Sequence, residues 1–356
     1  MNDIAPAAGL RDAPGAHGVD TQKLQIWMQE HIAGFCGAVD VHQFAGGQSN
    51  PTFLVQAADR RYVLRRKPPG KLLPSAHAVD REFRVLTALK DTDVPVAHAF
   101  ALCEDPGIIG SAFYVMEYVE GRIFWDASLP EAGPAERAPI YMEMVRVLAR
   151  LHSVDYNAVG LASFGKSGGY VERQVALWTR QYRAAETDEI GALERLIEWL
   201  PKHIPADEQS SIVHGDFRLD NTIFHPSEPR ILAVLDWELS TIGHPLVDFA
   251  FFCVRYRLPS AEFQGLGGVD TQQLSIPSEA ECVAEYCAIR GIKPVSQRDW
   301  TYYMAFCMFR LASILQGVLA RALQGNASSA TALNAGRRAR PLAQLGWRLV
   351  QESFDT

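Results

Sequence analysis

Residues 213–224 read VHGDFRLDNTIF. His214, Asp216, Arg218, Asp220 and Asn221 crowd into one short segment with apolar residues on either side. Polar groups withdrawn from water cost free energy unless they are paired or used. The segment is therefore either a polar surface turn or a loop built for chemistry. Its spacing favours the loop. Asn221 follows Asp216 by five residues, and Asp236 comes after the turn HPSEPR and the apolar run ILAVL. Phosphoryl transfer needs such a set: a carboxylate to orient a hydroxyl and accept its proton, and oxygen donors to hold Mg2+ against nucleotide phosphates. A strand–turn–strand from Asn221 to Asp236 would put both donors at one end of a hairpin. The expected roles are Asp216 as base and Asn221 and Asp236 as metal ligands, with Mg2+ and a nucleotide as cofactors.

The rest of the chain suits that reading. It has 356 residues, 48% of them hydrophobic, enough for two lobes. A formal net charge of -7 argues against non-specific nucleic-acid binding, which depends on a basic surface. The six cysteines form no CxxC pair and lie mostly in apolar segments, against a zinc site or disulfide scaffold. The N-terminus lacks the pattern of a signal peptide. Residues 304–320, MAFCMFRLASILQGVLA, are interrupted by Arg310 and Gln316 and read as a buried helix, so no membrane span is expected and the setting is cytoplasmic. Residues 1–19 are rich in Ala, Gly and Pro and are expected to be disordered. Residues 20–118 contain alternating apolar runs, a Gly-Gly pair and one helical stretch with Val79, Phe83, Leu86 and Leu89 on a face. Residues 119–356 are mostly helical in period.

The HGDxxxxN pattern of His214, Gly215, Asp216 and Asn221, followed by Asp236 in LDWE, resembles the aminoglycoside phosphotransferase-like family of the protein-kinase-like superfamily. The stretches YVLRRKPPG, HAVDREFRVLTAL, FGKSGGYVERQV and WELSTIGHPLVDF resemble more closely the kinase-like domains found alone or fused to acyl-CoA dehydrogenases. The resemblance covers nearly the whole chain beyond the N-terminal tail. It implies an α+β, two-lobed protein-kinase-like fold with a small β-rich N-lobe (20–118) and a larger helical C-lobe (119–356). It also implies a functional link to acyl-CoA dehydrogenases.

By that resemblance, Gly46, Gly47, Gln48, Ser49 and Asn50 form the glycine loop over the phosphates, although a plain hairpin turn has the same composition. Arg65 falls where protein kinases carry a lysine, with Glu82 as its helix carboxylate. This is a departure, because an arginine is a broad fork and a lysine a point charge. The alternative for that pair is a structural ion pair. Backbone groups from Glu117 to Val119 would meet adenine. Arg218 lies where kinases often carry a phosphate-contacting lysine, and is either that catalytic contact or a surface arginine. Asp248 would support the catalytic loop, and Asp220 would stabilise it.

One competing motif is GKSGG at residues 165–169, which fits the GxSxG hydrolase elbow but has no convincing strand before it. The expected activity is ATP- and Mg2+-dependent phosphorylation of a small-molecule hydroxyl. A hydroxy fatty acid or hydroxyacyl-CoA is the acceptor suggested by the dehydrogenase-fused relatives. The alternative is a nucleotide-binding, non-catalytic kinase-like module.

Overall fold

In the segment VDVH, residues 39–42, apolar and polar side chains alternate at period two, and in the computed structural model they lie on a strand whose buried residue is Val41. The structure describes residues 10–12, 19–44, 50–58, 60–68, 78–325 and 331–354. Of the expected glycine loop, Gly46, Gly47, Gln48 and Ser49 lie outside the described residues, as does most of the N-terminal tail.

The chain divides into two compact units, Met1–Arg122 with Thr222–Ser240, and Ile123–Asn221 with Thr241–Thr356. The first is built on an antiparallel sheet of β1 (Leu10–Asp12), β2 (Val39–Phe44), β3 (Thr52–Ala57), β4 (Arg60–Arg66), β5 (Ala99–Cys103) and β6 (Phe113–Glu117), in the order β1-β2-β3-β4-β6-β5. The helix Thr21–His31 starts at Asp20, whose carboxylate accepts from the N–H groups of Gln22 and Lys23. Leu24, Trp27 and Met28 of this helix join Phe53, Leu64 and Val115 of the sheet in one core. Each such side chain contributes about 1.5–3 kcal/mol on full burial.

The helix Val79–Leu89 buries Val79, Val85, Leu86 and Leu89, and with them Glu82. A carboxylate thus stands in an apolar stripe where the periodicity predicts Phe83, which is only half-buried. The hairpin Thr222–Phe224 with Ile231–Val234 belongs to the same unit. It is joined there by Val234 N–H donating to Pro95 O and Arg122 N–H to Phe224 O.

The second unit is helical. Its long helix Gln297–Leu323 is apolar and long enough to cross a membrane, but residues 300–310 are buried in the protein without a break. The helices Pro134–Ser153, Pro245–Cys253 and Glu279–Arg290 supply the groups that hold the loop of residues 214–221. That loop leaves a two-stranded ladder in which Ser211–Val213 pairs with Thr241–Gly243. The GxSxG segment is irregular backbone with bends at Gly165 and Gly168, Ser167 exposed and no strand directly before it, so the hydrolase elbow is ruled out on geometry.

Candidate active site

The loop begins where the strand Ser211–Val213 ends, and its first residues are gripped by Asp248 of the helix Pro245–Cys253. Asp248 is 3% exposed. Its Oδ2 accepts from the N–H of His214 at 2.6 Å and its Oδ1 from the N–H of Gly215 at 2.9 Å. Gly215 sits at φ +86°, a left-handed conformation that disfavours side chains. Behind Asp248, His152 Nε2 lies 3.2 Å from Oδ2, and His152 Nδ1 lies 2.7 Å from the hydroxyl of Tyr286. Burial works to raise the Asp248 carboxyl, yet the hydrogen bonds it accepts from the His152 ring and the His214 N–H hold it below its ordinary value. Burial lowers His152. The neutral ring then donates from Nε2 to Asp248 and accepts at Nδ1 from Tyr286.

Asp216 is therefore presented by a braced backbone. Its N–H donates to His214 Nδ1 at 3.2 Å. Asn221 Nδ2 donates to the Asp216 carbonyl at 2.9 Å and to its Oδ2 at 3.1 Å. That leaves Oδ1 as the Asn221 atom a metal would take. Arg218 Nε stands 3.1 Å from Asp216 Oδ1, and Arg218 Nη2 stands 3.0 Å from Asp220 Oδ2. Arg218 is thus tied to the candidate base and to Asp220.

The other predicted residues lie in the sheet unit. Arg65 of β4 reaches Glu82 Oε2 at 3.0 Å and Asp236 Oδ1 at 2.9 Å. The first contact is an ion pair whose Nε–H is not aligned for a hydrogen bond. The second is a hydrogen bond. Glu82 also accepts from Asn50 Nδ2 at 2.6 Å and from the Tyr114 hydroxyl at 2.9 Å. Asn50, grouped with the phosphate loop by sequence, has its side chain buried in this cluster. Burial opposes the Arg65 charge, but Tyr114, Glu82 and Asp236 outweigh it and keep the guanidinium protonated. Burial pushes the Glu82 carboxyl up against the pull of Arg65.

Asp236 is a non-glycine residue at φ +62°. Such conformations cost about 1–3 kcal/mol and cluster at functional sites. Glu117 is exposed at the end of β6, and its N–H already donates to His98 O at 2.8 Å. Val119 lies in the half-buried stretch that follows.

The phosphotransferase enzyme family model matches residues 40–280, well over half the chain. The chain belongs to that family. Among curated proteins it is 52% identical over 313 residues to mouse acyl-CoA dehydrogenase family member 10, covering 87% of this chain and 29% of that protein. It is 44% identical over 346 residues to human acyl-CoA dehydrogenase family member 11, covering 96% of this chain and 44% of that protein. The chain thus spans less than half the length of these relatives. Among solved structures, one assigned as an aminoglycoside phosphotransferase from Ralstonia eutropha shares 51% identity at a TM-score of 0.87, covering 94% of this chain and 98% of its own. A thermostable mutant of aminoglycoside phosphotransferase APH(4)-Ia, in ternary complex with AMP-PNP and hygromycin B, shares the fold. Its TM-score is 0.59 at 15% identity, with 92% of this chain and 98% of that chain covered.

The residue types of the expected metal pair suit Mg2+, since amide and carboxylate oxygens are the hard ligands that ion takes. Among the described residues no group of three His, Cys, Asp or Glu side chains could hold a metal. The expected pair depends instead on an amide oxygen and on phosphate oxygens. Arg66, the next residue on β4, points the opposite way from Arg65, is 2% exposed and donates to Ile109 O. Sequence reasoning missed the roles of Tyr114, which looks like an ordinary core residue in an apolar strand, and of Arg310, which donates to the carbonyl of Gly215 and whose one signal was its interruption of the apolar run 304–320.

Proposed function

We propose that the chain transfers the γ-phosphoryl group of ATP, with Mg2+, to the hydroxyl of a small molecule, and that the acceptor is a hydroxy fatty acid or its CoA thioester. The observation that carries the reading is the bracing of Asp216. Its backbone is anchored through the Asp248 grip on residues 214 and 215, and its carboxylate is set beside Asn221 and Arg218.

Asp216 orients the acceptor hydroxyl and takes its proton as the oxygen attacks phosphorus. Arg65, held by Glu82, pairs with phosphate oxygens. Asn221 Oδ1 and Asp236 would hold Mg2+, which supplies charge neutralisation on the phosphates when bound. Arg218, tied to Asp216, restrains that carboxylate between turnovers and is the second cation available to a phosphate. The acceptor class is supported by the acyl-CoA dehydrogenase names of the relatives. Phosphorylating a hydroxyl turns it into a leaving group, which suits a later elimination on an acyl chain.

The test is mass spectrometry of Mg–ATP reactions over hydroxy acids, hydroxyacyl-CoAs, choline, homoserine and aminoglycosides, with Asp216→Asn as control. A phosphorylated hydroxy acid or thioester lost in the variant supports the reading. Product on aminoglycosides alone would overturn the acceptor class. Full turnover in Asp216→Asn would overturn the mechanism.

A further inference from the structure

A small pocket in the helical unit is walled by aromatic side chains, among them Trp125, Tyr141, Phe217 and Phe252, and by Arg218, Asp220 and Arg255. One of its residues, Arg218, stands 3.1 Å from the Asp216 carboxylate, so the pocket lies beside the candidate base. Trp125 is 65% exposed, unusual for so large an apolar surface. An exposed indole at the rim of an aromatic pocket suits a ligand with an apolar body.

The charges in the pocket are unequally engaged. Arg218 is held at close range by both Asp216 and Asp220. Arg255 meets Asp220 only at 4.0 Å and donates to the carbonyl of Phe263 at a long 3.4 Å. Burial, and then the like charge of Arg218, weigh against the Arg255 cation, with Asp220 opposing them. A guanidinium in that position gains from an added anion and is penalised by an added ammonium.

We propose that this pocket seats the acceptor and that Arg255 is its specificity-determining residue, pairing with an anionic group, carboxylate or phosphate, on an acceptor whose apolar stem lies against Trp125, Phe217 and Phe252. The proposal rests on the phosphotransferase reading above. It adds which side chain selects the acceptor and by what charge. The same residue disfavours polycationic acceptors by repulsion.

The experiment compares a hydroxy acid, its methyl ester, the matching amino alcohol and the CoA thioester, in wild type, Arg255→Gln, Arg255→Lys, Arg255→Glu and Trp125→Ala. The wild type is expected to prefer the acid or thioester over the ester by at least about tenfold in kcat/KM, as charge-assisted pairing implies. Arg255→Gln should collapse that ratio through the KM of the anionic acceptor and not through the KM of ATP. Arg255→Lys should keep part of it, and Arg255→Glu should move preference toward the amino alcohol. Trp125→Ala alters an exposed side chain and should raise KM for long-stemmed acceptors. Loss on the acid alone would assign a carboxylate to Arg255, and loss on the thioester alone a CoA phosphate.

An acid-to-ester ratio unchanged in folded Arg255→Gln would overturn the proposal. Calorimetry with the deoxy acid, which cannot react, separates the two readings. Binding that depends on Arg255 without any phosphorylation would keep the pocket and sink the phosphotransferase reading. Neither binding nor turnover would sink the pocket.

Discussion

The guanidinium of Arg310 donates from Nη2 to the carbonyl of Gly215 at 2.9 Å, one residue ahead of Asp216. Its cation lies 5.5 Å from the ring centre of Trp178 and 5.1 Å from that of Phe251. A charge on a buried apolar helix is costly unless matched, and here it ties that helix to the loop carrying the candidate base. Arg310→Met is expected to lose about 2 kcal/mol of stability, the scale of a hydrogen bond from a charged donor. It should also lose at least about tenfold in kcat, with the KM of ATP near wild type, because a shift at a positioned group slows the chemistry before it weakens binding. Urea titration and steady-state kinetics read both. A folded variant with full kcat would remove Arg310 from the positioning of the loop.

Asp248 receives two backbone N–H groups and His152 in a site closed to water. Asp248→Asn puts an NH2 group where an acceptor is required. The buried donors it strands should cost about 3 kcal/mol. The denaturation midpoint in urea should fall with the slope unchanged. An unaltered midpoint would show that the loop is held by other contacts.

The histidines behind the loop predict a pH dependence. Burial lowers His152 and His244 below their ordinary value of 6.5. A folded-state pKa below the unfolded one means that the unfolded chain binds the proton first. The stability is therefore present above about pH 6.5 and is lost as pH falls toward the folded value. Each full unit of difference corresponds to about 1.4 kcal/mol. Asp248, also depressed, adds a second loss in the same direction starting nearer its ordinary value of 3.8. Thermal unfolding from pH 8 to pH 5 should show a falling Tm below about 6.5, shallower in His152→Gln. A flat profile would contradict the neutral, buried ring.

Arg65 and Glu82 test the cluster in the sheet unit. Arg65→Met leaves Glu82, 1% exposed, without its cation, which costs about 3–5 kcal/mol for a buried pair broken on one side. Arg65→Met with Glu82→Gln should recover much of that loss while nucleotide affinity stays weak. Calorimetric nucleotide titration beside urea denaturation distinguishes the two effects. Equal instability of single and double variants would mean that the pair is not the source of the cost.

A close approach of backbone in the sheet unit gives a further test. A Cβ on Gly121 would lie 2.2 Å from the carbonyl oxygen of Phe224, beside the bridge between Arg122 and Phe224. Gly121→Ala must displace the hairpin or its neighbour. It is expected to cost about 1–3 kcal/mol, the range for overpacking. Unchanged stability in that variant would show the bridge to be yielding.

The sequence by itself determined the parts that are local along the chain. Strand alternation, helix period and the HGDxxxxN spacing each depend on residues within a few positions of one another, so the sheet, the helices and the Asp216–Asn221 pair were legible. The order β1-β2-β3-β4-β6-β5 was not, because strand pairing is decided by packing across distant segments. Glu82 was legible as a carboxylate partner for Arg65, whereas Tyr114 and Asn50 bonding to it were not. Only the tertiary structure decided that Asp248, His152 and Tyr286 form one chain of hydrogen bonds, that Arg310 is a brace, and that Arg255 and Trp125 share a pocket. These residues come from separate helices and loops, and no motif along the chain groups them. What makes them a site is the low-dielectric packing that brings their polar atoms within about 3–4 Å, and no spacing along the chain encodes that distance.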